Sequence, residues 1–258
     1  AESVRRARRG YFANLSYSDE KIGSLLDVLA RTRMDENTIV VFVSDHGDML
    51  GERGMWFKMS FYEGSARVPL MIAAPGLAAK RVEEPVSTID LTPTLCDLAG
   101  IDMGGIMPWT DGHSLVPTVT GDKRPEPVFM EYAAEGSQAP MVSIREGRWK
   151  FNHCEIDPPQ LFDLDADPQE LTNLAGDPAH AETLRAFEDK MRAQWDMARF
   201  DAEVRESQAR RWIVYEALRN GNYYPWDYQP LKKASERYMR NHMDLNVVEE
   251  NARFPRGE

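Results

Sequence analysis

Ser44-Asp45-His46-Gly47 joins a carboxylate to an imidazole, with a glycine behind them. Asp45 offers a hard anionic oxygen and His46 a neutral nitrogen. Together they suit a divalent cation, although two ligands do not complete a site. Gly47 lets the chain turn sharply away. Thirteen residues beyond Asp45 stands Lys58, in Trp56-Phe57-Lys58. An ammonium on the loop leaving a metal site suits an anionic substrate oxygen. The same residues also have an ordinary reading. An Asp-His pair after a strand can serve as a loop cap, and Lys58 can be a solvated charge. Spacing alone leaves both readings open, because an isolated Asp-His-Gly is a weak signal.

Regular elements must place these groups. Tyr11, Leu15, Ile22, Leu25, Leu26 and Leu29 fall on one helical stripe. That predicts an amphipathic helix from near residue 5 to about 33. Ile39-Val40-Val41-Phe42-Val43 is continuously apolar and rich in β-branched residues, which predicts a strand buried on both faces. Asp45 and His46 follow its carboxyl end, the edge where ligands gather in open α/β sheets. A helix followed by a two-sided strand is α/β grammar. Residues 70–74 predict a second buried strand, and residues 91–98 a helix capped by Asp90 and stopped near Gly100. From about Gly121 the texture changes. Short β-like runs at 128–130, 141–144, 149–151 and 160–163, with Glu146-Gly147 as one of the turns, predict a small antiparallel sheet. Leu184, Phe187, Met191, Trp195 and Ala198 mark another amphipathic helix. A further helix is expected from Asp201 to Arg219, stopping at Asn220-Gly221. Beyond Met243 the weak periodicity reads as an extended arm.

Composition narrows the partners. A chain of 258 residues can bury a full core, as one large domain or one and a half. Its net charge of −11 argues against phosphate-backbone binding, so no nucleic acid is expected. The run Arg5-Arg6-Ala7-Arg8-Arg9 reads as the solvated end of a helix. No apolar stretch approaches the ~20 residues of a membrane helix, so no membrane partner is expected. Cys96 and Cys154 form neither a CxxC nor a Cys/His metal spacing. They read as thiols of a reducing compartment, and a bacterial cytoplasmic location is the expectation.

The surroundings of Asp45 carry more information than the pair itself. Val43-Ser44-Asp45-His46-Gly47-Asp48 is followed by Gly51-Glu52, by Lys58, and by Tyr62-Glu63-Gly64-Ser65-Ala66-Arg67-Val68-Pro69-Leu70. Then come Asp90-Leu91-Thr92-Pro93-Thr94-Leu95, Asp111-Gly112-His113-Ser114-Leu115 and Leu161-Phe162-Asp163-Leu164. In combination this closely resembles the second half of the sulfatase pattern, over roughly residues 5 to 200. After about Asp201 the chain resembles choline sulfatases in particular. That likeness rests on the run from Tyr215-Glu216-Ala217-Leu218-Arg219-Asn220-Gly221 through Tyr228, and on Arg237-Tyr238-Met239-Arg240-Asn241-His242-Met243-Asp244-Leu245.

The resemblance implies an α/β fold. Residues 1–120 are expected to be the carboxyl-terminal part of an alkaline-phosphatase-like α/β/α domain. Residues 121–200 are expected to form a small antiparallel-sheet subdomain, and 201–258 a helical and extended tail. It implies a sulfuric ester hydrolase, with Asp45 and His46 as metal ligands and Lys58 on the sulfate, so that His46 and Lys58 carry the catalytic role here. It implies a divalent cation, calcium foremost, and a formylglycine nucleophile made from the Cys of a Cys-x-Pro-x-Arg motif. No such motif occurs in these 258 residues, so the chain is expected to be a carboxyl-terminal fragment. The implied substrate is choline sulfate. Its quaternary ammonium donates no ordinary hydrogen bond and calls for aromatic faces and a carboxylate. Glu131, Tyr132 and Glu135, read as lying on a loop after a strand, are candidates, as are Trp226 with the other tail aromatics and the acids Asp244, Glu249 and Glu250; plain packing is the competing reading for Trp226 and its aromatic neighbours. An extended tail also suggests a homo-oligomer in which the tail crosses between subunits. The alternatives are a phosphonate monoester or phosphodiester hydrolase of the same superfamily, and a non-catalytic binding module.

Overall fold

The computed structural model describes residues 2–122, 124, 126–134 and 137–219. The chain divides into two compact units, 1–201 and 202–258.

The first helix, α1 (Glu2–Thr32), runs where the apolar stripe predicts it. It buries no residue: Tyr11, Leu15, Leu25 and Leu26 are exposed, while Ile22 and Leu29 are half-buried. A stripe of apolar residues specifies the helix and the face it offers, not what covers that face. Near its amino end Arg8 donates to the Leu50 carbonyl at 2.8 Å and pairs with Glu52 at 2.7 Å, so the basic run is in part tied down.

Next come β1 (Val40–Val43), β2 (Met49–Leu50), β3 (Trp56–Phe57), the single turn α2 (Glu63–Ala66) and β4 (Leu70–Ala73). β2 pairs with β3, and β1 with β4, both antiparallel. The expectation that β1 is buried on both faces fails. Val40, Val41 and Phe42 are half-buried and Val43 is exposed. A β-branched run tells what a strand is able to bury, and a two-stranded sheet has too few neighbours to cover both faces.

Three short helices follow: α3 (Leu91–Leu98), α4 (Met103–Ile106) and α5 (Val116–Thr120). α3 has the predicted bounds, and Gly100 behind it adopts φ 70°, the left-handed conformation of a helix stop. Asp90 does not cap α3. Its fully buried carboxylate forks onto Arg124, with Nε at 3.0 Å and Nη2 at 3.2 Å. It also accepts the Ser87 and His113 amides, each at 2.9 Å. Four hydrogen-bond donors thus satisfy a buried carboxylate that would otherwise lack partners.

The antiparallel sheet is a meander of β5 (Val128–Tyr132), β6 (Met141–Glu146), β7 (Trp149–Cys154) and β8 (Asp157–Asp163). Gly147, with φ 53°, opens the two-residue turn between β6 and β7. Glu131 and Tyr132 lie within β5, not on a loop after it. Residues alternate between faces, so the register divides the sheet in two. Val142, Ile144, Phe151 and Leu161, all fully buried, meet Phe187 and Met191 of α6 (Ala181–Gln194). Each such side chain contributes roughly 1.5–3 kcal/mol of apolar burial. The opposite face carries Ser143, Lys150, Asn152, Gln160 and Phe162. Trp195 is extended, with φ −128° and ψ 135°, and ends α6. Its ring meets Phe129 edge-on at 5.4 Å. The last helix among the described residues, α7, spans Met197–Arg219 and so includes Ala198. The expected stop at Asn220-Gly221 lies outside the described residues. Among the described residues no helix is long and apolar enough to cross a membrane.

Candidate metal and sulfate site

β1 delivers Asp45 and His46 to its carboxyl end, where the polar groups of the turn bond to one another. Ser44 Oγ donates to the His46 carbonyl at 2.7 Å, and the His46 amide donates to Asp45 Oδ1 at 2.9 Å. That amide is the main reason the Asp45 carboxyl is held below the usual aspartate value. His46 Nδ1 lies 2.8 Å from the Gly47 carbonyl. A carbonyl only accepts, so Nδ1 is the donor in this contact, and a neutral imidazole so placed has its lone pair on Nε2. Nε2 sits 3.6 Å from Asp45 Oδ2. Two ligands of one cation, each about 2.0–2.5 Å from it, stand at comparable separation. Asp45 is 84% exposed at its side chain and His46 35%, so both remain open to a further ligand. The donor chemistry fits a divalent cation but does not complete its shell. Among the described residues no group of three or more His, Cys, Asp or Glu converges on a metal position.

Gly47 has a stricter role than turning the chain. Its amide donates to the Ser65 carbonyl of α2 at 2.8 Å. A Cβ at Gly47 would stand 2.2 Å from the Gly64 carbonyl oxygen. The glycine therefore permits two backbones to touch. Lys58 follows β3 and is exposed, and Ser65 Oγ donates to its carbonyl. The Asp45-His46 turn and Lys58 are thus anchored on one buried residue, Ser65.

The small sheet supports this anchor. Lys150, fully buried, pairs with Glu63 at 2.8 Å and Glu170 at 3.0 Å, and Glu170 Oε2 accepts the Glu63 amide at 2.7 Å. Tyr62 packs on Phe162 with ring centroids 6.2 Å apart, and Arg53 lies 4.2 Å over the Tyr62 ring. Reading the sequence missed Lys150, Glu63, Ser65 and Glu170. The available signal was a lysine placed between Trp149 and Phe151 in a strand, where burial demands a counter-charge.

Glu131 accepts from the Trp195 indole at 2.6 Å, which gives its carboxylate a structural partner. Glu135, Trp226, Asp244, Glu249 and Glu250 lie outside the described residues. Cys96 and Cys154 are both free thiols.

Comparison with known proteins assigns the chain. Residues 1–101 match the family model described as Sulfatase, and residues 202–254 the one described as choline sulfatase enzyme C terminal. The chain is 66% identical over its whole length to choline-sulfatase of Rhizobium meliloti (strain 1021), covering 51% of that relative. It is 32% identical to arylsulfatase K of Gallus gallus, over 86% of this chain and 43% of that one. The chain thus spans about half the length of the curated relatives it matches. Among solved structures, a 2-O GAG sulfatase aligns at TM-score 0.59 and 35% identity, covering 68% of this chain and 40% of that one. The phosphonate monoester hydrolase of Agrobacterium radiobacter aligns at TM-score 0.58 and 32% identity, covering 68% and 39%. These neighbours have the alkaline-phosphatase-like fold, mixed helix and sheet, that the sequence motifs implied. With its Asp-His turn and the matches at both ends, the chain belongs to the sulfatase family and carries the carboxyl-terminal module of choline sulfatases.

Proposed function

We propose that these residues form part of a sulfuric ester hydrolase acting on choline O-sulfate and releasing choline and sulfate. The observation that carries this reading is the 66% identity to a choline-sulfatase over the full chain. The Asp45-His46 turn gives it a chemical basis. Asp45 Oδ2 and His46 Nε2 would hold a divalent cation, calcium being the choice the family resemblance suggests. Such a cation, when bound, withdraws charge from the sulfuryl oxygens. The Nδ1 proton, held on the Gly47 carbonyl, keeps the imidazole in the tautomer that leaves Nε2 available. Lys58 offsets negative charge on the sulfuryl oxygens or the leaving alkoxide. The proposal places the formylglycine nucleophile outside these residues, since neither Cys96 nor Cys154 stands in a Cys-x-Pro-x-Arg motif. Glu135 and Trp226 remain the proposed contacts to the quaternary ammonium, and Glu131 is a third candidate through the carboxylate oxygen that does not take the Trp195 bond. We also infer a homo-oligomer held through residues 201–258, and a monomeric sedimentation profile would refute it.

A second reading, phosphonate monoester hydrolysis, is favoured by the structural likeness to such enzymes. Steady-state rates of the enzyme carrying these residues, on choline O-sulfate and on a phosphonate monoester, separate the two. The expected result is a kcat/KM for the sulfate ester higher by about a hundredfold or more. The opposite ranking would assign the site to phosphonates.

A further inference from the structure

Lys150 has no part in the chemistry above, yet its side chain is fully buried. A buried ammonium persists only when it is paired. Both of its partners lead back to α2. Glu63 is the first residue of that turn, and its carboxylate meets Lys150 Nζ at 2.8 Å. Glu170 Oε1 stands 3.0 Å from Nζ as a charge contact outside hydrogen-bonding angles. Its Oε2 accepts the Glu63 amide at 2.7 Å. Tyr62, at the cap position of α2, makes no side-chain cap bond, and the Glu63 amide donates instead to a carboxylate 107 residues beyond Glu63. Glu170 holds φ at 56°, uncommon for a residue with a Cβ. Such backbone persists where its surroundings over-determine it.

A four-residue turn has too little internal bonding to stand alone. α2 nonetheless holds the Gly47 amide on its Ser65 carbonyl and the Lys58 carbonyl on its Ser65 hydroxyl. We propose that Lys150 and Glu170 are positioning residues for the Asp45-His46 turn and Lys58: they fix α2 from the small sheet, and Ser65 passes that register on. Neither touches substrate. The effect on turnover rests on the sulfuric ester hydrolase reading, whereas the positioning itself does not.

Amide hydrogen exchange on the 258-residue chain tests the positioning directly. In Lys150→Met and in Glu170→Met, Gly47 is expected to exchange about tenfold faster or more, while Val142 and Ile144 in β6 keep their protection. Glu170→Gln retains an oxygen for the Glu63 amide, so Gly47 should stay within about threefold of the parent. The Glu170 pair keeps the test decisive if Lys150→Met unfolds. Unchanged Gly47 exchange in Glu170→Met overturns the proposal. So does equal behaviour of the Met and Gln variants, or loss of protection across β6 together with Gly47. In the enzyme carrying these residues, Glu170→Met is expected to lower kcat about tenfold or more with KM within about threefold. An altered KM at unchanged kcat would contradict it. A parent enzyme inactive on sulfate esters, with the exchange pattern as expected, would sink the function reading and uphold the positioning.

Discussion

Two side chains in unlike surroundings give the sharpest single-residue expectations. Lys58 is exposed, and the role proposed for it in catalysis is electrostatic. Lys58→Ala in the enzyme carrying these residues should lower kcat by on the order of a hundredfold or more. Steady-state kinetics on choline O-sulfate check this, and a near-unchanged kcat would remove Lys58 from the site. Asp163 has a structural job at the end of β8. Arg148 Nε donates to it at 2.7 Å, and a second guanidinium nitrogen pairs with its other oxygen. That bond, more than the Ala166 and Asp165 amides, holds the Asp163 carboxyl below the ordinary range. A depressed folded-state value means that the unfolded chain binds more protons near its own value of about 3.9. The stability Asp163 contributes is therefore present above about pH 3.9 and is lost as pH falls through its lower folded value. Urea midpoints at pH 5 and pH 2.5 should converge in Asp163→Asn relative to the parent. An equal pH dependence in the two proteins would exclude the pair as a source of acid sensitivity.

Between elements, the contact of the Asp45-His46 turn with α2 is a close constraint near the candidate site. At Gly47 an added Cβ meets a backbone carbonyl oxygen at 2.2 Å, and neither chain can step aside cheaply. At Gly64 the nearest atom is Met49 Sδ at 2.9 Å, the flexible part of an adaptable side chain. Gly47→Ala should therefore cost about 1–3 kcal/mol of stability, and Gly64→Ala less. Denaturant melts of the two variants decide this, and a cost at Gly64 equal to or above that at Gly47 would reject the close-approach account. The sheet shows how one element serves two partners. Its apolar rows meet α6, and its polar rows reach Tyr62 and Glu63 through Gln160 and Lys150. A substitution at Lys150 therefore removes a partner of Glu63 in α2 rather than a contact on the α6 side of the sheet.

Over the whole molecule, an imbalance separates the small sheet from α1 and the β1–β4 pair. The sheet and α6 enclose their apolar residues, whereas Tyr11, Phe12, Leu15, Leu25 and Leu26 of α1 stay exposed. Exposed apolar side chains on one helix favour binding of a hydrophobic dye. Replacing Leu15, Leu25 and Leu26 by lysine, a good helix former, should reduce dye fluorescence of this chain. Each change should leave stability within about 0.5 kcal/mol, as for surface sites. A large fall in stability would mean that the stripe packs within this chain after all.

Much of this was legible in residue order because it depends on local periodicity and local chemistry. The span of α1, the bounds of α3 and the four-stranded meander follow from 3.6- and 2-residue patterns and from turn residues. The Asp-His pair after β1 and its family were legible because the motif lies within a few tens of residues. What the sequence could not yield was partnership over long separations. Asp90 looked like a helix cap because its neighbours in sequence suggested one, but Arg124, 34 residues on, supplies the stronger counter-charge. The apolar run of β1 predicted burial, yet burial depends on how many layers surround a strand. Lys150 looked like an ordinary strand lysine, since Glu63 lies 87 residues away and only tertiary packing brings the two together. The sequence determined which chemistry stands at the end of β1. The tertiary structure alone decided what holds it in place, because a buried charge takes its partners from space rather than from sequence.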